Sequence, residues 1–529
     1  MSGNPIPIID LFAGPGGLGE GFSRYRNQSG QRIFRTVLSI EKEEWAHRTL
    51  ELRSFFRQFP DREAPDAYYD YLQGRITRDE LFAAFPVEAG RAREEAWCAE
   101  LGSKERPAAV VQQRIATALA GAKTWILLGG PPCQAYSIVG RSRILGEDRK
   151  SKDQEGRVFY DDDHRHFLYK QYLRIIADHA PPVFVMENVK GLLSSMVRGR
   201  STIDQIFKDL RAPSAAVNGK HDSSLSYQLF PLAPSAPRLL EIEPEPEDFL
   251  IEAEHFGIPQ CRHRLFLVGV RSDLAKVKKP ASLKNGKAPI PMLDAICDLP
   301  RVRSMLSKAD SVEGWRDWVN SARWSDWLFD PSVTVEVRNA ITSALERRAA
   351  SKTGGRFIPR ENSKRPKFAS NWFLDPKLKG WVNHEARRHM PSDLHRYLFA
   401  SAYAQVNGSS PKLRDFPKAL LPDHQNVDKK DLENTIFADR FRVQLSTRPA
   451  TTVTSHSAKD GHYYIHPDPT QCRSFTVREA ARLQTFPDNY FFEGGRTEQF
   501  KQVGNAVPPL LAHQIAGVIA ELLKGATCP

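Results

Sequence analysis

The sequence predicts an α/β fold built around an open parallel sheet. Three observations carry that expectation. Short apolar runs alternate with helical patterns at both ends of the chain. A glycine-rich turn, Gly14-Pro15-Gly16-Gly17, follows the first apolar run. Four chemically active side chains, Asp10, Glu41, Cys133 and Glu187, stand at or near the C-terminal ends of successive apolar runs. In open parallel sheets that edge is where ligands bind.

Residues 5–12 form the first predicted strand, with Asp10 near its end, and residues 18–26 the first helix. Glycines in the turn between them let a ligand approach the backbone, and a helix N-terminus offers unpaired N–H groups. The turn also fits the dinucleotide pattern G-x-G-x-x-G, so a nicotinamide enzyme is a competing reading. Residues 36–40 are the second strand and Glu41 ends it, placed to accept hydrogen bonds from ribose hydroxyls. Trp45, in the next helix, suits either an adenine ring or the helix–sheet core. Residues 51–120 are charged and helical in pattern and read as an insertion on the α/β core.

Trp125-Ile126-Leu127-Leu128 is a buried strand that runs into Gly129-Gly130-Pro131-Pro132-Cys133-Gln134-Ala135-Tyr136-Ser137. Two prolines stiffen the backbone ahead of the cysteine. The polar stretch 138–160 reads as a lid. Residues 164–179 form an amphipathic helix, and 182–189 a strand that carries Glu187. Residues 241–248 read as a solvated acidic turn, and 249–254 and 265–270 as paired strands. Arg262 and Arg264, two apart, would share one face of a strand and could hold a carbonyl oxygen and a phosphate.

From 272 to 446 the βα alternation stops, which marks a separate domain. Its Trp315, Trp318, Trp324 and Trp327 recur at near-helical spacing and read as core. The α/β character returns after Arg448-Pro449-Ala450-Thr451-Thr452, with a helix over 476–485. Gly504-Asn505-Ala506-Val507-Pro508-Pro509 leads into a last apolar helix ending at Leu523. His462 and His466 sit among prolines, and four residues along a strand would hold them about 13 Å apart, so they do not read as a metal pair.

Composition narrows the function classes. The chain has 529 residues, 41% hydrophobic and 26% charged, which suits a globular protein of several domains. No apolar run reaches the roughly 18 residues of a membrane span, and the N-terminus has no basic segment ahead of its apolar part. Six cysteines (98, 133, 261, 297, 472, 528) form no CxxC pair. That argues against a zinc site and a disulfide framework, and for a reducing cytoplasm. The net charge is +12, and residues 346–367 hold eight Lys/Arg against two Glu. Half the excess thus lies in one loop-like segment, which suits a polyanion such as nucleic acid.

Six motifs in order give the chain a family resemblance: DLFAGPGG at 10–17, GGPPCQAYS at 129–137, ENV at 187–189, QCRHR at 260–264, RPATT at 448–452 and GNAVPP at 504–509. It resembles the DNA (cytosine-5) methyltransferases of the bacterial restriction–modification type over nearly its whole length. The resemblance implies a Rossmann-like catalytic domain (1–271 and 447–529) that binds S-adenosylmethionine, with 272–446 as a smaller, separate target-recognition domain. It implies Cys133 as the nucleophile, Glu187 as its acid partner, Arg264 on the target base and Arg262 in support. Phe12, Gly14, Gly16, Glu41, Pro132, Asn505 and Ala506 would line the cofactor site; the strand-end and helix positions add Asp10 and Trp45, and the spacing of Cys and His gives no metal site. Double-stranded DNA is the implied partner, bound by a monomer. A cognate restriction endonuclease would act on the same site without a stable complex.

A thiolate adding to carbon 6 of cytosine makes carbon 5 nucleophilic, and a carboxyl and an arginine would serve ring nitrogen 3 and the carbonyl oxygen. A duplex hides carbon 6, so the base must flip out. The competing classes are a tRNA cytosine-5 methyltransferase and a catalytically silent DNA-binding regulator.

Overall fold

The computed structural model describes residues 4–61, 63–132, 164–197, 200–218, 225–233, 243–286, 288–361, 363–423, 427, 431–432 and 438–525. Cys133, the rest of its motif and the 138–160 segment lie outside the described residues.

Five parallel strands form most of the main sheet: β1 (Ile6–Leu11), β2 (Phe34–Glu41), β3 (Ala96–Cys98), β4 (Ile126–Gly129) and β5 (Val183–Val189). They lie in the order β3-β2-β1-β4-β5. The strand His263–Arg271 then adds antiparallel to β5, and Tyr227–Phe230 and Leu250–Glu252 pair with it in turn.

Alternation along each strand explains why both faces are covered. Ile9, Leu11, Leu127, Phe184, Met186, Leu265 and Leu267 enter one core. There they meet the helices Ala108–Leu119, His164–His179 and Thr202–Arg211. Ile8, Ile126, Leu128, Val183, Val185, Phe266 and Val268 enter the other, against α1 (Gly17–Ser23) and the final helix Pro509–Leu523. Two glycines set the approach of those helices. A Cβ on Gly17 would lie 2.2 Å from the Val507 carbonyl oxygen, and one on Gly21 would lie 2.4 Å from the Ala512 Cβ. The last helix has 15 residues and is about 22 Å long, short of the roughly 30 Å of a bilayer core. The preceding helix, Arg496–Asn505, is separate from it.

The segment read as a helical insertion has a different composition. α2 (Glu44–Arg57) is the crossover helix after β2, and three further helices, Asp66–Gln73, Arg78–Ala84 and Pro86–Glu95, follow it. Then comes β3, the sheet's edge strand. At three residues it is too short to show an apolar pattern, so only its pairing with β2 reveals it. The three helices bury Tyr68, Tyr69, Tyr71, Leu72 and Phe82 with Leu378, Val382 and Phe491.

Residues 272–446 supply most of one core, around Trp315, Trp327, Ile341, Leu398 and Phe399, which Ile465 and Cys472 from the C-terminal part also enter. They share another with the C-terminal part, where Met292, Ile296, Phe373 and Trp381 pack with Phe475, Leu483 and Phe492. Trp318 and Trp324 depart from the expected core: they are 47% and 85% exposed. The 346–367 segment is not simply a loop. It contains the strand Gly354–Pro359, paired antiparallel with Gly380–Glu385. Arg356 donates to the carbonyls of Tyr71 and Leu72 and covers the rings of Tyr71 and Phe491. Arg360 covers Trp381, and Lys352 pairs with Glu361. In the acidic turn Asp248 is buried and accepts from the Glu245 amide.

Candidate active site

The site lies along the C-terminal edge of β1, β2, β4 and β5. Register brings Leu11 beside Gly129 and Gly129 beside Met186. The antiparallel strand begins at this same edge, which is why Arg264, near its start, pairs with Val189 at the end of β5.

After β1 the chain turns through left-handed conformations at Phe12 (φ +55°), Gly14 (+56°) and Gly16 (+90°). Gly14 donates its amide to Glu41 Oε2 at 2.8 Å, and Glu43 donates to Glu41 Oε1 at 2.8 Å. These bonds tie the first strand's turn to the second strand's carboxylate. Burial raises the Glu41 carboxyl above its ordinary range, and the amide bonds offset part of that. A Cβ on Gly14 would meet nothing within 4 Å, so its backbone borders open space. Gly16 caps α1 at a left-handed φ that disfavours a side chain, and a Cβ there would lie 2.7 Å from Leu50 Cδ2. Tyr490, from the far end of the chain, donates its hydroxyl to the Pro15 carbonyl.

Trp45 does not enter the helix–sheet core. It is 39% exposed and lies against Gly494, where a Cβ would come within 2.8 Å of its ring. Asp10 is 1% exposed, and neither carboxylate oxygen has a hydrogen-bond partner among the described residues. Its carboxyl is pushed up to about 7, chiefly by burial, with Arg57 offsetting only part. The 504–507 turn reaches this edge because Val507 packs on Gly17. Ala506 is buried and its carbonyl accepts from Gln484, while the Asn505 side chain is exposed.

The turn that precedes Cys133 sits against β5. A Cβ on Gly130 would lie 3.2 Å from Glu187 Oε2, and Asn188 donates to the Pro131 carbonyl at 3.4 Å. Pro132, half-buried, is the last described residue before the cysteine. Across the strand pair, Arg264 Nε lies 3.1 Å from Glu187 Oε1, with both side chains less than one-fifth exposed.

Arg262 does not join them on a shared face. It precedes the strand, is 2% exposed, and donates Nη1 to the carbonyls of Val453 (3.0 Å) and Gly504 (3.2 Å). Burial and the neighbouring Arg264 push its guanidinium down to about 9. Arg262, expected on one strand face with Arg264, is thus a buried tie. The RPATT segment is held in the same way. Gln260 and Cys261 pair in parallel with Ala450 and Thr451, and Gln260 accepts from the Val453 amide at 2.7 Å.

Sequence reading missed Asn188, Gln260, Gln484 and Tyr490, whose partners lie far along the chain. Among the described residues no group of three or more metal-ligating side chains exists. His462 instead bonds Tyr397 at 2.7 Å, and His466 lies 3.6 Å from Glu479.

The chain matches the family model for C-5 cytosine-specific DNA methylase over residues 110–212 and 247–521. It is 30% identical to the type II methyltransferase M.Bpa9945I of Bacillus paralicheniformis, covering 98% of this chain and 99% of that one. It is 25% identical to the type II methyltransferase M.AgeI of Thalassovita gelatinovora, covering 97% and 99%. It is 26% identical to the DNA (cytosine-5-)-methyltransferase M.ApeKI of Aeropyrum pernix, covering 77% and 83%.

Proposed function

Since the chain belongs to the C-5 cytosine-specific DNA methylase family and is a DNA (cytosine-5-)-methyltransferase of the bacterial restriction–modification type, we propose that it methylates carbon 5 of a flipped-out cytosine in one double-stranded DNA sequence. S-adenosylmethionine is the donor in this reading. The enzyme acts on cytoplasmic DNA and protects it from a cognate endonuclease. The observation that carries the reading is the Glu187–Arg264 pair, set against the Gly130 turn that leads into Cys133.

The cofactor fits the residues present. The open space at Gly14, the tethered Glu41 carboxylate and the exposed Trp45 ring lie on one edge. Glu41 keeps acceptor capacity beyond its two amide bonds and would hold ribose hydroxyls. Trp45 would cover the adenine, while Phe12, Gly14, Gly16, Pro132, Asn505 and Ala506 would line the cleft. Once bound, the sulfonium supplies an electrophilic methyl group.

The chain's own residues do the rest. The Cys133 thiolate bonds to carbon 6, and the ring's electron pair moves toward carbon 5. Glu187 holds a proton at ring nitrogen 3 as charge builds there, and Arg264 orients the carboxylate and holds the carbonyl oxygen. After carbon 5 is methylated, its proton leaves and the carbon–sulfur bond breaks, restoring the ring and the thiolate. Arg262 keeps the 453 loop and the end of the helix Arg496–Asn505 against this site as a positioning residue.

Cytosine-conversion sequencing of DNA from cells expressing the protein, beside a Cys133→Ala control, tests the reading. Methylated cytosines in one recurring context, absent in the control, are expected. An unmethylated genome, or methylation that survives in Cys133→Ala, would overturn it.

A further inference from the structure

A cavity of about 420 Å³ opens between the 272–446 region and residues 456–462, lined in part by Arg387, Arg388, Arg440, His456, Lys459 and Asp460. Four permanent cations line it, against the carboxylates of Asp393 and Asp460. Both carboxylates are occupied: Asp393 pairs with Arg396 at 2.8 Å and Asp460 with Arg440 at 3.6 Å. Arg388 and Lys459 are exposed and have no ion-pair partner among the described residues. Their charge is therefore available to something outside the chain.

The floor of the cavity is hydrogen-bonded and neutral. The Tyr397 hydroxyl bonds both His462 Nδ1 (2.7 Å) and His389 Nδ1 (3.3 Å). Burial holds both imidazoles below their ordinary range, so they stay uncharged near neutral pH. The first turn of the 17-residue helix Pro391–Asn407 also borders the cavity through Asp393, and its amide ends add partial positive charge.

The cavity is tied to the active site by a short run of contacts. Thr452 donates to the Cys261 carbonyl, three residues from Arg264. Arg262 holds Val453, and the backbone at Thr454 and Ser455 packs on Gly504. Arg387 then donates to the Ser457 carbonyl, two residues before Lys459. Lys459 is seven positions after Thr452, a span of at most about 25 Å. That is no more than about seven base steps of a duplex at 3.4 Å each.

We propose that this cavity, through Arg388 and Lys459, binds the phosphate backbone of the target duplex a few base steps from the cytosine. The inference rests on the reading that the enzyme acts on duplex DNA. It adds to the 346–367 run, where Lys352, Arg356 and Arg360 are engaged within the protein while Arg347, Arg348, Arg365 and Lys367 are exposed. Exposed, unpaired cations around a neutral floor suit backbone positioning rather than base reading.

The test compares full-length enzyme with the double variant Arg388→Ala/Lys459→Ala and the charge-preserving Arg388→Lys/Lys459→Arg. Methyl transfer to duplex DNA and binding across a salt series are measured. The alanine pair should raise the DNA KM about tenfold or more at 0.15 M salt, with kcat falling less than twofold. Its slope of log K against log salt should be shallower by about 1.8, since each lost phosphate contact removes about 0.9. The charge-preserving pair should restore both. An unchanged KM and slope, in an enzyme that methylates DNA, would overturn the phosphate site and leave the function standing. A change in the methylated sequence would overturn it in favour of base reading. A wild-type enzyme that methylates no DNA would instead remove the function on which the inference rests.

Discussion

Arg264 Nε lies 3.1 Å from Glu187 Oε1, across the antiparallel pair of His263–Arg271 with β5. The strands fix this separation, because Phe266 is the register partner of Glu187 and Arg264 that of Val189. The pair is therefore built into the sheet rather than carried on a loop.

Replacing Glu187 should accordingly cost chemistry and not folding. Glu187→Gln keeps the shape but loses the acid, and a fall of about 10²- to 10⁴-fold in kcat is expected. Duplex DNA binding should remain. Single-turnover methyl transfer beside equilibrium binding checks this. A variant within twofold of wild type would remove Glu187 from the reaction.

Two glycines of the same turn should answer differently to alanine. Gly17→Ala drives a methyl into the Val507 backbone, and destabilisation of about 1–3 kcal/mol is expected from overpacking. Gly14→Ala meets no atom, and its left-handed φ costs about 1–2 kcal/mol. Its methyl would occupy the proposed cofactor cleft, so weakened S-adenosylmethionine binding should be its larger effect. Urea unfolding and ligand calorimetry on both variants separate the two outcomes.

Asp10 predicts a pH dependence of stability. Its carboxyl titrates near 3.8 when unfolded and near 7 in the fold, so the native state holds a proton that the unfolded chain has released. Stability should therefore fall as pH rises from about 4 to about 7, with the full cost present above 7. Asp10→Asn has no such proton, and its thermal midpoint should gain on wild type between pH 5 and pH 8. Parallel midpoint profiles for the two proteins, measured without cofactor, would contradict the assignment.

Arg356 belongs to the basic run but is spent inside the protein. Arg356→Ala removes two hydrogen bonds to Tyr71 and Leu72 and the cover over two aromatic rings. A loss of about 1–3 kcal/mol is expected, with little change in the salt slope of DNA binding. Chemical unfolding and a salt titration of the same variant check the two halves.

Local chemistry made the catalytic edge legible in the sequence. An apolar run followed by glycine, or ending in a carboxylate, is visible within ten residues, and β1, β2, β4 and β5 appear where such runs occur. The strand β3 was not legible, because Ala96–Cys98 carries no pattern of its own and is a strand only through β2. The inward-facing part of the basic run is illegible for a related reason. Charge is countable in a sequence, but whether Arg356 faces solvent depends on Tyr71, 285 residues away.

The sequence by itself determined the α/β class, the order of the motifs and the carboxylate, glycine and arginine positions at the strand ends. Each of these depends on periodicity and composition over short spans. Only the tertiary structure decided that Arg262 is a buried tie while Arg264 meets Glu187. The two side chains are two residues apart, yet Arg262 is turned inward by carbonyls 191 and 242 residues further on. A buried guanidinium must find acceptors, and which acceptors are near is a property of the packed chain.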